Sequence, residues 1–142
     1  MSRIQYENKQ SLANESKFKE KIIKVWDCDL KKMHYHHVID FMVVEDKKAK
    51  AWLEVKCRNR NYNQFPHVML SLNKYMKGID YYSKTKLPFI LAIRFLDGDY
   101  YFKYHRQYPT FDIVWGGRTK NQRDEFDVEP IINIPTTYFT EF

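Results

Sequence analysis

Asp40, Glu54 and Lys56 are the residues whose types and spacing are best suited to chemistry. Glu54 and Lys56 flank Val55 in a run of strand-forming residues, so their side chains share one face. Asp40 lies on the preceding strand, across a turn signal at Glu45-Asp46-Lys47-Lys48. With the hairpin centred near Lys47, Asp40 faces Glu54 and Val38 faces Lys56. The other face pairs Ile39 with Val55, Phe41 with Leu53 and Val43 with Ala51. It is wholly apolar, so a slip of one residue would scramble it. Directly opposed residues have Cβ atoms roughly 4.5–5.5 Å apart, and two carboxylates that close repel unless a proton or a cation lies between them. Magnesium takes one or two carboxylates together with waters and phosphate oxygens, and a lysine beside it can hold or activate an attacking water. Such a cluster suits hydrolysis of a phosphodiester. A plain salt-bridged patch fits less well, because Val38 and Met42 flank Asp40 on its own face and Trp52 flanks Glu54.

The elements that must position these residues are legible in outline. Leu12, Phe18, Ile22 and Trp26 recur at helical spacing and predict an amphipathic helix over residues 11–26. Residues 27–33 carry charge and turn residues. The sheet is expected to begin in His34–Val44 and to continue in Ala51–Cys57. The polar stretch from Arg58 to Pro66 reads as a loop overhanging the Glu54–Lys56 strand. Residues 67–83 predict a second helix, with Val68, Leu72, Tyr75, Ile79 and Tyr82 on its buried stripe. Phe89–Leu96 and Tyr100–Tyr104 read as strands joined by a turn at Asp97-Gly98-Asp99. Phe111–Trp115 and Val128–Ile134 are later strand candidates, separated by Gly116-Gly117 and a charged loop.

An Asp followed by Glu-X-Lys on the next strand resembles the PD-(D/E)XK, or restriction-endonuclease-like, nuclease superfamily, which includes Holliday junction resolvases. The matching residues are Ile39-Asp40 and Glu54-Val55-Lys56, with no proline before Asp40. The superfamily core runs helix, three meandering strands, helix, strand, and residues 11–96 read in a similar αβββαβ order. The resemblance implies an α/β fold with a central mixed sheet flanked by two helices, in a single nuclease domain over residues 1–142. It implies metal-dependent hydrolysis of DNA, with an endonuclease favoured over an exonuclease but not distinguished from it by the sequence. Mg²⁺ would be the cofactor, with Mn²⁺ able to substitute, and the product ends would be 5′-phosphate and 3′-hydroxyl. By the same resemblance Asp40, Glu54 and the Val55 carbonyl bind the metal, and Lys56 orients water or stabilises developing charge. Many members add a helix glutamate in the pattern Glu-X-X-apolar-X-X-X-apolar. Glu15 satisfies it with Phe18 and Ile22, whereas Glu20 has Ile23 but then Asp27, so Glu15 joins the catalytic and metal set. A polar residue of the second helix often points at the site, and Lys74 is the choice here. Small members are commonly homodimers, since cutting two strands needs two sites.

Composition agrees with this direction. The 142 residues suit one domain with one core, and 44% hydrophobic with 17% aromatic content favours a packed core over disorder. A net charge of +6 favours nucleic acid as a partner. Arg58, Arg60 and Asn61, in the loop after Lys56, and Lys74 are the candidate DNA contacts, since arginine forks match phosphate geometry. The abundance of Lys, Asn, Ile and Tyr fits an AT-rich genome such as that of a phage. Cys28 and Cys57 make neither a zinc site nor a disulfide framework and fit a reducing cytosol. No apolar run reaches the roughly 18 residues of a membrane span, and the N-terminus has no signal-peptide core. The expected location is the cytoplasm, of the host if the protein is viral, with no membrane partner. His34 and His36 share a strand face, but no further soft ligand accompanies them, which disfavours zinc. Trp115-Gly116-Gly117-Arg118 reads as a DNA-contacting loop or a tight turn. Two rival readings remain: a non-cleaving nucleic-acid-binding module of the same fold, and a protein-interaction domain. Metal-dependent cleavage separates the first rival. Salt-insensitive partner binding without DNA affinity marks the second.

Overall fold

The apolar face shared by Phe41, Val43, Ala51 and Leu53 builds the hairpin at the centre of the fold. The computed structural model describes residues 9–34, 36–117 and 128–142. In it β2 (Phe41–Glu45) and β3 (Lys48–Cys57) pair antiparallel, with Phe41 opposite Leu53, Met42 opposite Trp52 and Val43 opposite Ala51, the expected register. Asp46 and Lys47 both have positive φ, 51° and 64°, the backbone of a two-residue type I′ turn. Next to that turn the register shifts and Val44 faces Ala49, so Lys50 is bulged.

Among the described residues the strands form two sheets. The larger has the order β1-β2-β3-β5-β6-β9, with β1 at Asp29–Lys32, β5 at Phe89–Arg94, β6 at Asp99–Lys103 and β9 at Phe139–Glu141. It is mixed: β3 and β5 run parallel and the other pairs antiparallel. Helix α1 (Lys9–Trp26) covers one face, where Phe18 and Ile22 pack with Leu53, Val55, Ile90 and Ala92. The opposite face is covered by helix α2 (Leu72–Thr85) and a small antiparallel sheet of order β4-β8-β7. Its strands are β4 (His67–Ser71), β7 (Ile113–Gly117) and β8 (Val128–Pro135). There Val68, Leu70, Tyr75, Ile132 and Ile134 meet Phe89, Leu91, Ile93 and Phe102. The expected architecture, a mixed sheet between two helices, is therefore present, with a second sheet added to it.

Side-chain contacts fix both helices to the sheet. Asp99 is buried and accepts from Arg94 Nε at 2.8 Å, Arg94 Nη2 at 3.0 Å and Lys21 Nζ at 2.7 Å, which ties α1 to β5 and β6. On the other side α2 approaches β5 at Gly78, where a Cβ would lie 2.4 Å from the Phe89 ring. No helix among the described residues is long and apolar enough to cross a membrane.

Four expectations are corrected. Residues 67–71 are strand β4, not the start of the second helix. Val68 and Leu70 are both buried while His67, Met69 and Ser71 are not, a period of two. Residues 29–32, read as charged turn, pair with β2 as an edge strand whose side chains are largely exposed, so no apolar alternation marks them. The strand expected from His34 begins only at Phe41. Residues 36–39 turn, so Ile39 packs with Phe89 and Leu91 rather than with Val55, which lies in the core beneath α1. The strand expected at Phe111–Trp115 runs from Ile113 to Gly117, and β9 was not expected. Arg118 lies outside the described residues.

Candidate active site

Where β2 begins, β3 has four more residues to run. Its pairing with β2 starts at Leu53, while its parallel pairing with β5 continues through Glu54, Val55, Lys56 and Cys57. The odd-numbered residues of this segment face α1. Glu54 and Lys56 therefore face α2, alongside Trp52. Asp40 stands at the mouth of β2, its carbonyl accepting from the Met33 amide at 2.8 Å. Lys74 comes from the first turn of α2. Trp52 Nε1 donates to Thr85 Oγ1 at 3.0 Å and its ring packs against Tyr81, 4.9 Å between centroids, so the far end of α2 is also held on β3.

Asp40, Glu54, Lys56 and Lys74 thus form one cluster. The Glu54 side chain is fully buried. Its Oε2 accepts from Lys74 Nζ at 2.5 Å and pairs with Lys56 Nζ at 3.2 Å. Lys74 Nζ also lies 3.6 Å from Asp40 Oδ1. The other Glu54 oxygen, Oε1, is buried and has no hydrogen-bond partner among the described residues. Burial pushes the Glu54 carboxyl up, against the pull of the two lysines. Burial likewise pushes the Lys56 ammonium down, the nearby Glu54 charge opposing it. For Lys74 burial acts downward too, but the Glu54 and Asp40 charges outweigh it and the net shift is upward.

This donor set fits a hard divalent cation. It offers carboxylate oxygens from Asp40 and Glu54, one of them buried and without a partner among the described residues, and a stretch of β3 beyond its pairing with β2 that contains the Val55 carbonyl. Magnesium favours one or two carboxylates with waters completing its shell.

The other predicted residues are placed differently. Glu15 lies on α1, across the sheet, where its charge helps to raise the Cys57 thiol that burial already pushes up. Among the described residues no cluster of three or more metal-ligating side chains forms, so Glu15 is not gathered with Asp40 and Glu54. Glu20 is exposed. Arg58 continues the row of Glu54 and Lys56. Its Nη1 donates to the Cys57 carbonyl at 3.4 Å, and among the described residues it makes no ion pair. Arg60 is committed to the loop: it donates to the carbonyls of Asn61, Tyr62 and His67 at 3.1, 3.4 and 3.1 Å. Its guanidinium also lies over the Phe65 and Phe95 rings. Asn61 is exposed at the start of the short 3₁₀ turn Tyr62–Gln64. Lys74 is the second-helix residue that the resemblance points to, and its contact with both carboxylates is seen only in the structure.

A family model described as "Phage putative PDDEXK endonuclease" matches the chain over residues 1–142. Among solved structures the chain is similar to that of Hjc, a Holliday junction resolvase from the archaeal hyperthermophile Archaeoglobus fulgidus. The likeness has 12% identity, covers 63% of this chain and 71% of that chain, and has a TM-score of 0.46. No curated protein matches the chain.

Proposed function

Because the chain belongs to the phage PDDEXK endonuclease family, we propose that it is a metal-dependent endonuclease that hydrolyses DNA phosphodiesters. The observation that carries this reading is the cluster in which Glu54 Oε2 meets Lys56 and Lys74 while Lys74 also meets Asp40, with Glu54 Oε1 buried and without a hydrogen-bond partner among the described residues. Asp40, Glu54 and the Val55 carbonyl would hold Mg²⁺, for which Mn²⁺ would substitute. When bound, the ion polarises the phosphoryl oxygen and activates water. Lys56, brought to the same carboxylate and desolvated, orients that water and offsets charge that develops on the phosphate. Arg58, at the end of the same row, meets a flanking phosphate, and Asn61 lies on the loop beside it. Arg60 acts by holding that loop in shape. Glu15, near Cys57 on the α1 side of the sheet, acts through solvent rather than by direct ligation.

The test is incubation with linear, nicked, flapped and four-way DNA in Mg²⁺, Mn²⁺ or EDTA. Cleavage with either ion and none in EDTA is expected. DNA affinity should fall with salt, with a log–log slope reflecting several phosphate contacts. Salt-dependent binding without cleavage of any substrate by any metal would make the chain a DNA-binding module.

A further inference from the structure

Lys74 stands where the two carboxylates converge. Its Nζ is 2.5 Å from Glu54 Oε2 and 3.6 Å from Asp40 Oδ1, whereas among the described residues the one carboxylate in ion-pair contact with Lys56 is Glu54, at 3.2 Å. A divalent ion held by Asp40 and Glu54 must lie within about 2.0–2.6 Å of oxygens of the same two groups. An ammonium and a dication cannot share that position, because like charges that close repel strongly in a partly dehydrated site. Lys74 is on a flexible four-carbon stem and is 24% exposed, so its ammonium has a way out toward solvent.

We propose that Lys74 is a built-in counter-cation of the metal site, holding the carboxylate pair together until a divalent ion displaces it. The inference rests on the metal-dependent reading above. Its consequence is that the site binds metal weakly by itself. Metal binds more tightly when a DNA phosphate is present, because the displaced ammonium then has an anion to meet and the phosphate adds ligand oxygens. By linkage, metal tightens DNA binding by the same factor.

The test is Mn²⁺ titration without DNA, by calorimetry and by thermal shift, on the wild type, Lys74→Met, Lys74→Arg and Lys56→Met. Lys74→Met should bind Mn²⁺ about tenfold more tightly and show a larger Mn²⁺-induced rise in Tm. Lys74→Arg, which keeps the charge, should stay near wild type. Lys56→Met removes equal charge but touches only one carboxylate, and should gain less. If Lys74→Met does not fold without metal, Lys74→Gln, which keeps a donor to Glu54, takes its place. Unchanged or weaker binding in the uncharged Lys74 variant overturns the inference, as does an equal gain in Lys56→Met. If Asp40→Asn abolishes Mn²⁺ binding while the Lys74 variants leave it unaltered, this inference fails and the metal-site reading stands. If neither the wild type nor any variant binds a divalent ion, both fail.

Discussion

Lys74 lies 2.5 Å from the Glu54 carboxylate and joins the first turn of α2 to β3. At the other end of the same helix Thr85 accepts from Trp52, two residues before Glu54 on the same strand. Helix α2 is thus laid along the Glu54 face of β3 and pinned at both ends. That arrangement buries Glu54 and brings Lys56, Asp40 and Lys74 to one place.

Asp40→Asn, Glu54→Gln and Lys56→Ala should each reduce cleavage by about a hundredfold or more, because each removes a metal-binding or charge-stabilising contact that acts on the barrier. DNA affinity measured in Ca²⁺ should persist, and loss of a carboxylate near phosphates can tighten it. Circular dichroism should show folded protein in all three: glutamine still accepts from the lysines, and Lys56→Ala leaves Lys74 on Glu54. If the wild type cuts and any of the three variants cuts equally well, the catalytic assignment is wrong.

Glu15→Gln should raise the metal concentration needed for half-maximal cleavage, and Glu20→Gln should do little. The reason is placement: Glu15 is at the Cys57 end of β3, whereas Glu20 is exposed. Because Glu15 is across the sheet from the carboxylate pair, its effect should be smaller than that of Asp40→Asn. Metal titrations of cleavage rate decide this, and a larger effect from Glu20→Gln would shift the helix phase.

Asp99 should govern acid stability. Burial alone would raise its carboxyl, but hydrogen bonds and charge from Arg94 and Lys21 outweigh that, and its value lies below the ordinary aspartate range. A folded-state value below the unfolded one adds stability that is fully present above the unfolded value and is lost as pH falls through the folded one. Asp99→Asn should therefore lower stability by about 2 kcal/mol near neutral pH. The gap should narrow below about pH 4. Thermal melts at a series of pH values would show it, and a gap of constant size would contradict it.

Gly78→Ala should destabilise the fold although alanine is the better helix former by about 1 kcal/mol. The added Cβ would meet the fully buried Phe89 ring at 2.4 Å, and neither the ring nor the helix can give way without disturbing the core. A loss of about 1–3 kcal/mol in denaturant melts is expected. A gain would show that the helix moves off β5 freely.

Lys47→Gly should stabilise the protein by about 1 kcal/mol, read as a higher Tm. Lys47 has φ 64° in the two-residue turn between β2 and β3, a conformation that costs a side chain and is free to glycine. Activity should be unchanged, since the turn lies at the opposite end of β3 from Glu54 and Lys56.

Much of the hairpin was readable from residues alone. The apolar pairs Phe41–Leu53 and Val43–Ala51 allow only one register, and it is the one formed, whereas the expected pairing of Asp40 with Glu54 is not part of the ladder and the two are joined through Lys74. The predicted first helix, 11–26, agrees with Lys9–Trp26 because its stripe of Phe18 and Ile22 meets one face of the sheet at helical spacing. Strand β4 was not readable in the same way. Val68, Leu72 and Tyr75 also satisfy a helical stripe, and what makes residues 67–71 a strand is pairing with β8, with Val68 opposite Ile134 and Leu70 opposite Ile132.

The sequence by itself determined the side-chain chemistry and the register of the Phe41–Leu53 and Val43–Ala51 pairs, because alternation and spacing are local properties of the chain. Only the tertiary structure decided that Ile39 leaves the Val55 face, that Glu15 is across the sheet, that Arg60 is bound into its own loop, and that Lys74 bridges both carboxylates. Each of these depends on where a distant helix, strand or loop packs. That is settled by the burial of apolar faces against one another, and no spacing within a single element encodes it.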